Sequence, residues 1–105
     1  MNKRFVVLLN PTTDAQNEAF RKYVDGSGKF AWWHWMNGSW LLICTDPNET
    51  HAAVQEQVMK AFPEVFHLVM DVTGANQNLW GGFGPKGAQD SNNMFKWLLE
   101  IWCKS

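Results

Sequence analysis

The sequence predicts an α+β fold in a single domain. Three observations carry this. Short apolar runs of strand length occur at residues 4–9, 30–36, 39–44 and 65–73. Two stretches between them repeat apolar residues at helical spacing, each opened by capping residues. Asn37-Gly38 separates two of the apolar runs, and that dipeptide is the strongest short-range signal for a tight hairpin.

The first run, Arg4 to Leu9, is continuously apolar after its first residue and stops at Asn10-Pro11, which suits a strand covered on both faces. Thr13 and Gln16 have the spacing of a capping box. Ala15, Ala19, Phe20, Tyr23 and Val24 then recur with helical period, so a helix is expected over 14–25, ended by Gly26 in a left-handed C-cap. Taking Asn37-Gly38 as a two-residue turn pairs Met36 with Ser39 and sets Trp35 opposite Trp40. Trp33 and Leu42 then share that face, expected to pack against helices. Phe30, Trp32, His34 and Met36 line the other face with Leu41 and Ile43, so both faces of the hairpin are apolar and something must cover each. Asp46-Pro47-Asn48-Glu49 reads as the next helix start, with Asp46 as N-cap and Glu49 completing a capping box. Val54, Val58, Ala61 and Phe62 form its apolar stripe, and Pro63 ends it. From 65 to 73 apolar residues alternate: Phe66, Leu68, Met70 and Val72 on one side, Val65, His67, Val69, Asp71 and Thr73 on the other.

Strand, helix, hairpin, helix, strand is the split βαβ or ferredoxin-like plan, βαββαβ, with an antiparallel sheet whose first and third strands are central. The plan closes at Thr73, so the core is expected over 3–73. Residues 74–105 add a long Gly-rich loop and a C-terminal helix over 91–103.

Composition excludes several functions. Net charge is −1, and the nine basic residues are scattered, which disfavours sequence-independent binding to a phosphate backbone. The stretch WGGFGPKG lacks the Ser or Thr of a phosphate-binding loop. Neither Cys44 and Cys103 nor His34, His51 and His67 have metal-site spacing, and no nucleophile with an adjacent base is evident, so no cofactor and no catalytic residue is expected. The apolar run at the N-terminus is shorter than a signal-peptide core, and no run reaches membrane-spanning length, so a cytoplasmic protein without membrane partners is expected.

Four of the seven tryptophans lie in WWHWMNGSW, residues 32–40. This density marks a packing or interaction surface, with Trp32, His34 and Met36 from the hairpin and Trp80 and Phe83 from the loop as its candidates. An alternative use of the same loop, residues 75–90, is a small-molecule pocket against the hairpin, walled by Trp80.

Trp32-Trp33-His34, Ser39-Trp40-Leu41, Thr45-Asp46, Asp71-Val72-Thr73-Gly74, Trp80-Gly81-Gly82-Phe83 and Trp97-Leu98 together resemble the small SinR-like proteins, compact ferredoxin-like relatives of the CRISPR adaptation nucleases. The resemblance spans most of the chain. It implies a dimer, and in its nuclease branch a divalent metal held beside nucleic acid by aspartates at the ends of the first strands. Here Asn10 stands at that position, and a neutral amide is a weak ligand for a hard cation. The expected function is therefore a non-catalytic interaction protein, acting as a homodimer or through a protein partner. The alternative is a metal-dependent nuclease or nucleic-acid binder using Asn10 and Asp71.

Overall fold

The computed structural model describes residues 2–74 and 96–102. The chain divides into two units, Met1–Thr73 and Gly74–Ser105. The first is α+β, with the elements β1 (Lys3–Asn10), α1 (Asp14–Gly26), β2 (Phe30–Met36), β3 (Ser39–Cys44), α2 (His51–Ala61) and β4 (Phe66–Asp71). The four strands form one antiparallel sheet in the order β2-β3-β1-β4, the ferredoxin-like arrangement, with β1 and β3 central. In the second unit residues 96–102 are helical, with π-type bonding over Leu98–Trp102 and the Trp97 and Trp102 rings 5.9 Å apart. The expected 91–103 helix and the Gly-rich loop otherwise lie outside the described residues.

Local chemistry explains most boundaries. Thr13 and Gln16 form the expected capping box at the start of α1, each side chain taking the other's backbone N–H. The end of α1 departs from expectation. Gly26 is still helical, Ser27 is the C-cap, and the glycine with positive φ (+72°) is Gly28. Ser27 fills the gap by donating its backbone N–H to the Tyr23 carbonyl and its hydroxyl to the Val24 carbonyl.

The start of α2 also departs. Thr50 is its N-cap, accepting from the Ala53 N–H, and Asp46 instead closes a separate turn by accepting from the Asn48 N–H at 2.9 Å. Two good capping residues stand four positions apart, and the chain uses both, one for a turn and one for the helix. Glu49 is freed from any cap. It is buried, and its carboxylate receives the Lys29 ammonium at 2.6 Å, tying the loop to the start of β2.

Both helices lie on one face of the sheet. Phe20, Val24, Val54, Val58 and Phe62 pack there against Phe5, Val7, Leu9, Trp40, Leu42 and Cys44. The alternation of β1 delivers its odd residues to this core, while even residues Arg4, Val6, Leu8 and Asn10 share the opposite face.

The hairpin turn is locked to β1. Leu9 N–H donates to the Gly38 carbonyl at 2.7 Å, and a Cβ on Gly38 would stand 2.3 Å from the Leu9 carbonyl oxygen. That obstacle is backbone and cannot rotate away. Gly38→Ala is expected to lower stability by about 2–4 kcal/mol. At Gly28, where space is open, alanine meets only the left-handed conformation and costs about 1 kcal/mol. Urea denaturation of the two variants measures the difference.

Candidate interaction surface

The register of the hairpin overturns the expected division of its faces. Met36 pairs with Ser39 as predicted, but Trp33 pairs with Leu41 and Trp32 with Leu42. The register shifts between Trp33 and Met36, so His34 and Trp35 together stand against Trp40. One extra residue is a β-bulge, and a shift of one residue moves every side chain beyond it to the other face. Trp32 and His34 therefore join Trp40 on the helix-covered face, and Trp33 goes to the opposite one.

On the helix side these residues make a dense aromatic group. The His34 and Trp40 rings are stacked, 3.9 Å apart and 7° from parallel. Phe20 meets Trp40 edge-on at 5.0 Å, and Trp32 lies 5.4 Å from it. The polar atoms have partners. Trp40 Nε1 donates to Asn17 Oδ1 at 3.1 Å, and Trp32 Nε1 donates to Asp25 Oδ1 at 2.7 Å. Asn17 donates in turn to the Thr12 hydroxyl, which donates to the Asn37 carbonyl at the hairpin tip. His34 Nδ1 lies 2.9 Å from the Ser39 carbonyl, which assigns the proton to Nδ1. Trp32 and His34 are half-buried parts of the fold's own packing, and Met36 is exposed at the end of β2. Trp80 and Phe83 lie outside the described residues, and with Trp80 the wall expected for a small-molecule pocket.

The opposite face carries the feature that the sequence reading did not single out. Its residues on β4 are Phe66, Leu68 and Met70, with relative exposures of 83%, 53% and 37%, and Leu8 of β1 beside them is 39% exposed. On the same face Arg4, Trp33 and Ile43 are buried. At the hairpin end the exposed row borders a shallow cleft of about 390 Å³, lined by Leu8, Asn10, Ser39, Phe66 and Leu68 among others. The signal for this row was present in the period-two pattern of residues 65–73, whose fully apolar face is Phe66, Leu68, Met70 and Val72.

The two residues proposed for a metal do not meet within the chain. In the β1–β4 register Asn10 pairs with Phe66, while Asp71 pairs with Phe5. They sit at opposite ends of the strands, five residues or roughly 17 Å apart along β1. Asp71 is committed to structure: its carboxylate accepts from the Thr73 hydroxyl and backbone N–H and from Lys3 Nζ at 3.0 Å. The two Thr73 bonds and then the Lys3 ammonium pull its pKa down to about 2. Among the described residues no group of three or more His, Cys, Asp or Glu side chains could hold a metal ion. Cys44 is buried, and burial raises its thiol pKa, the opposite of what a reactive thiolate needs.

No protein-family model, curated protein or solved structure matches the chain. No described helix is long and apolar enough to cross a membrane.

Burial against Trp40 lowers the His34 pKa, with the Ser39 carbonyl acting weakly the other way. A folded-state pKa below the unfolded one means that the unfolded chain binds the proton more readily. The His34 contribution to stability is thus complete above about pH 6.5 and declines as pH falls toward the lower folded value. The melting temperature is expected to drop between about pH 7.5 and about pH 5, and His34→Phe is expected to flatten that part of the profile. An unchanged slope in the variant would remove His34 as its source.

Proposed function

We propose that this protein is a non-catalytic interaction module that works through a sheet face, as a homodimer or with a protein partner. The observation that carries the reading is the exposed row of Phe66, Leu68, Met70 and Leu8 on the sheet face opposite α1 and α2. Single exposed apolar residues are ordinary on a surface. Here four large ones are neighbours on two paired strands, Leu8 directly opposite Leu68 in the register. Contiguous apolar area of this kind characterises surfaces that meet another molecule. The low net charge permits such contact without steering it toward nucleic acid.

The reading is tested by mass in solution and by capture with purified bait. Wild-type protein is expected to show self-association at high concentration or a retained protein partner, and Leu68→Lys to lose either one. A wild type that stays monomeric and retains nothing beyond what Leu68→Lys retains would sink the proposal. Incubation with RNA and DNA plus magnesium or manganese checks the nuclease alternative. Binding is expected to be absent at low salt, and cleavage abolished by Asn10→Ala would reverse that expectation.

A further inference from the structure

We propose that the partner at this surface is a second copy of the same chain, joined through the free edge of β4 about a two-fold axis centred on Val69. The inference rests on the interaction reading above and specifies its occupant and register.

The direction of the backbone groups comes first. Val72 N–H donates to the Arg4 carbonyl at 2.8 Å. In an antiparallel ladder alternate residues bond to the same neighbour. Phe66, Leu68 and Met70 therefore direct their peptide groups to β1, and His67, Val69 and Asp71 direct theirs outward. Among the described residues no strand pairs with that outer edge.

The two edges of the sheet differ. On β2 the bulge between Trp33 and Met36 interrupts the ladder, a device that blunts an edge. β4 is regular: its register with β1 runs unbroken from Phe5↔Asp71 to Asn10↔Phe66, and it contains neither proline nor lysine. Among the described residues it is the edge left open to pairing.

The strand is complementary to itself. Read antiparallel about Val69, the outward-bonding set pairs Val69 with its own copy and His67 with Asp71 of the second copy, twice. This places an imidazole, which in its own copy meets the Val65 carbonyl and the Gln55 amide, beside a carboxylate that already accepts from Thr73 and Lys3, on the helix side. On the other face Leu68 meets Met70 of the second copy and Phe66 meets Val72 of the second copy, so the two exposed rows merge. A two-fold centred on Leu68 keeps like faces together but sets His67 against Val69 and leaves Asp71 with Lys3 of its own copy as its charged counterpart and none in the second copy. The exposed row is on the order of a few hundred Å², short of the ~800 Å² per partner of a standard interface. The dimer is accordingly weak and dependent on concentration, an eight-stranded sheet formed in the micromolar range or above.

Cross-linking tests the register. Leu68 and Met70 of the second copy would form a non-hydrogen-bonded pair with Cα atoms ~4.5 Å apart, within disulfide range. In a Cys103→Ser background, a mixture of Leu68→Cys and Met70→Cys proteins is expected to give a disulfide-linked dimer containing one of each, with little from either alone. Leu68→Lys is expected to weaken self-association measured by sedimentation equilibrium by about tenfold or more, with its thermal unfolding close to wild type because the side chain is half exposed. Efficient cross-linking of Leu68→Cys alone, or association unaffected by Leu68→Lys, overturns the proposal. A wild-type dimer that fails to cross-link overturns this register and leaves the interaction reading standing. A wild-type monomer at near-millimolar concentration overturns self-pairing, and capture of a partner then decides the broader reading.

Discussion

Trp40 ties the first unit together. Its indole is buried, stacked by His34, met edge-on by Phe20, flanked by Trp32 and hydrogen-bonded by Asn17. These contacts join the hairpin, α1 and the central strand β3 at one side chain. The indole N–H is a donor that burial would leave costly if unpaired, at about 1–3 kcal/mol. Asn17 meets it from α1, and that requirement sets the rotation of α1 over the sheet. The same asparagine reaches the hairpin tip through Thr12, so the turn and the helix start are positioned by one chain of hydrogen bonds.

The bulge in β2 follows from the same side chain. A two-residue turn at Asn37-Gly38 with an unbroken ladder would put Trp35 opposite Trp40. The observed arrangement places His34 there, flat on the indole with ring centroids 3.9 Å apart. An imidazole is smaller than an indole, and its Nδ1 proton finds the Ser39 carbonyl. Inserting one residue thus exchanges a large ring for one that fits, and it brings Trp32, half-buried, against the core with it. The cost is a break in the ladder at an edge strand, where no further neighbour among the described residues depends on continuity.

This is also where the sequence stops being legible. The order of elements, the central positions of β1 and β3, the Thr13–Gln16 cap, the core stripe of α2 and the Phe20–Val24 part of that of α1 follow from periodicity and capping chemistry, which are local. Ala15 and Ala19, expected on the α1 stripe, are exposed, and Asn17 is buried beneath Trp40 instead. The bulge does not follow from local chemistry. Nothing in WWHWMNGSW distinguishes a regular ladder from one with an extra residue, because residues 32–35 are aromatic on both faces. Only packing against Phe20 and Asn17, far away in sequence, decides it. The start of α2 fails for a related reason. Asp46 and Thr50 are both competent caps, and the choice between them depends on Glu49 reaching Lys29, which is not a local property. The exposed row on β4 was visible as an alternation, but exposure itself is a tertiary fact. The apolar face of Phe66, Leu68 and Met70 reads as buried until α1 and α2 are seen packed on the other face of the sheet.

The two edges of the sheet then make a physical argument together. An open, regular, apolar edge invites unlimited association, because a strand that adds at one side of a sheet leaves another edge behind it. Growth stops only if the added unit presents no second open edge. A two-fold contact uses the same strand from both copies and so consumes both β4 edges at once. What remains at the ends of such a sheet is β2, where the bulge has already broken the ladder. The rearrangement that fits His34 onto Trp40 thereby also closes the far side of the molecule to strand addition. A single local insertion serves the core of one subunit and, through the edge it spoils, limits any assembly built on β4 to a pair.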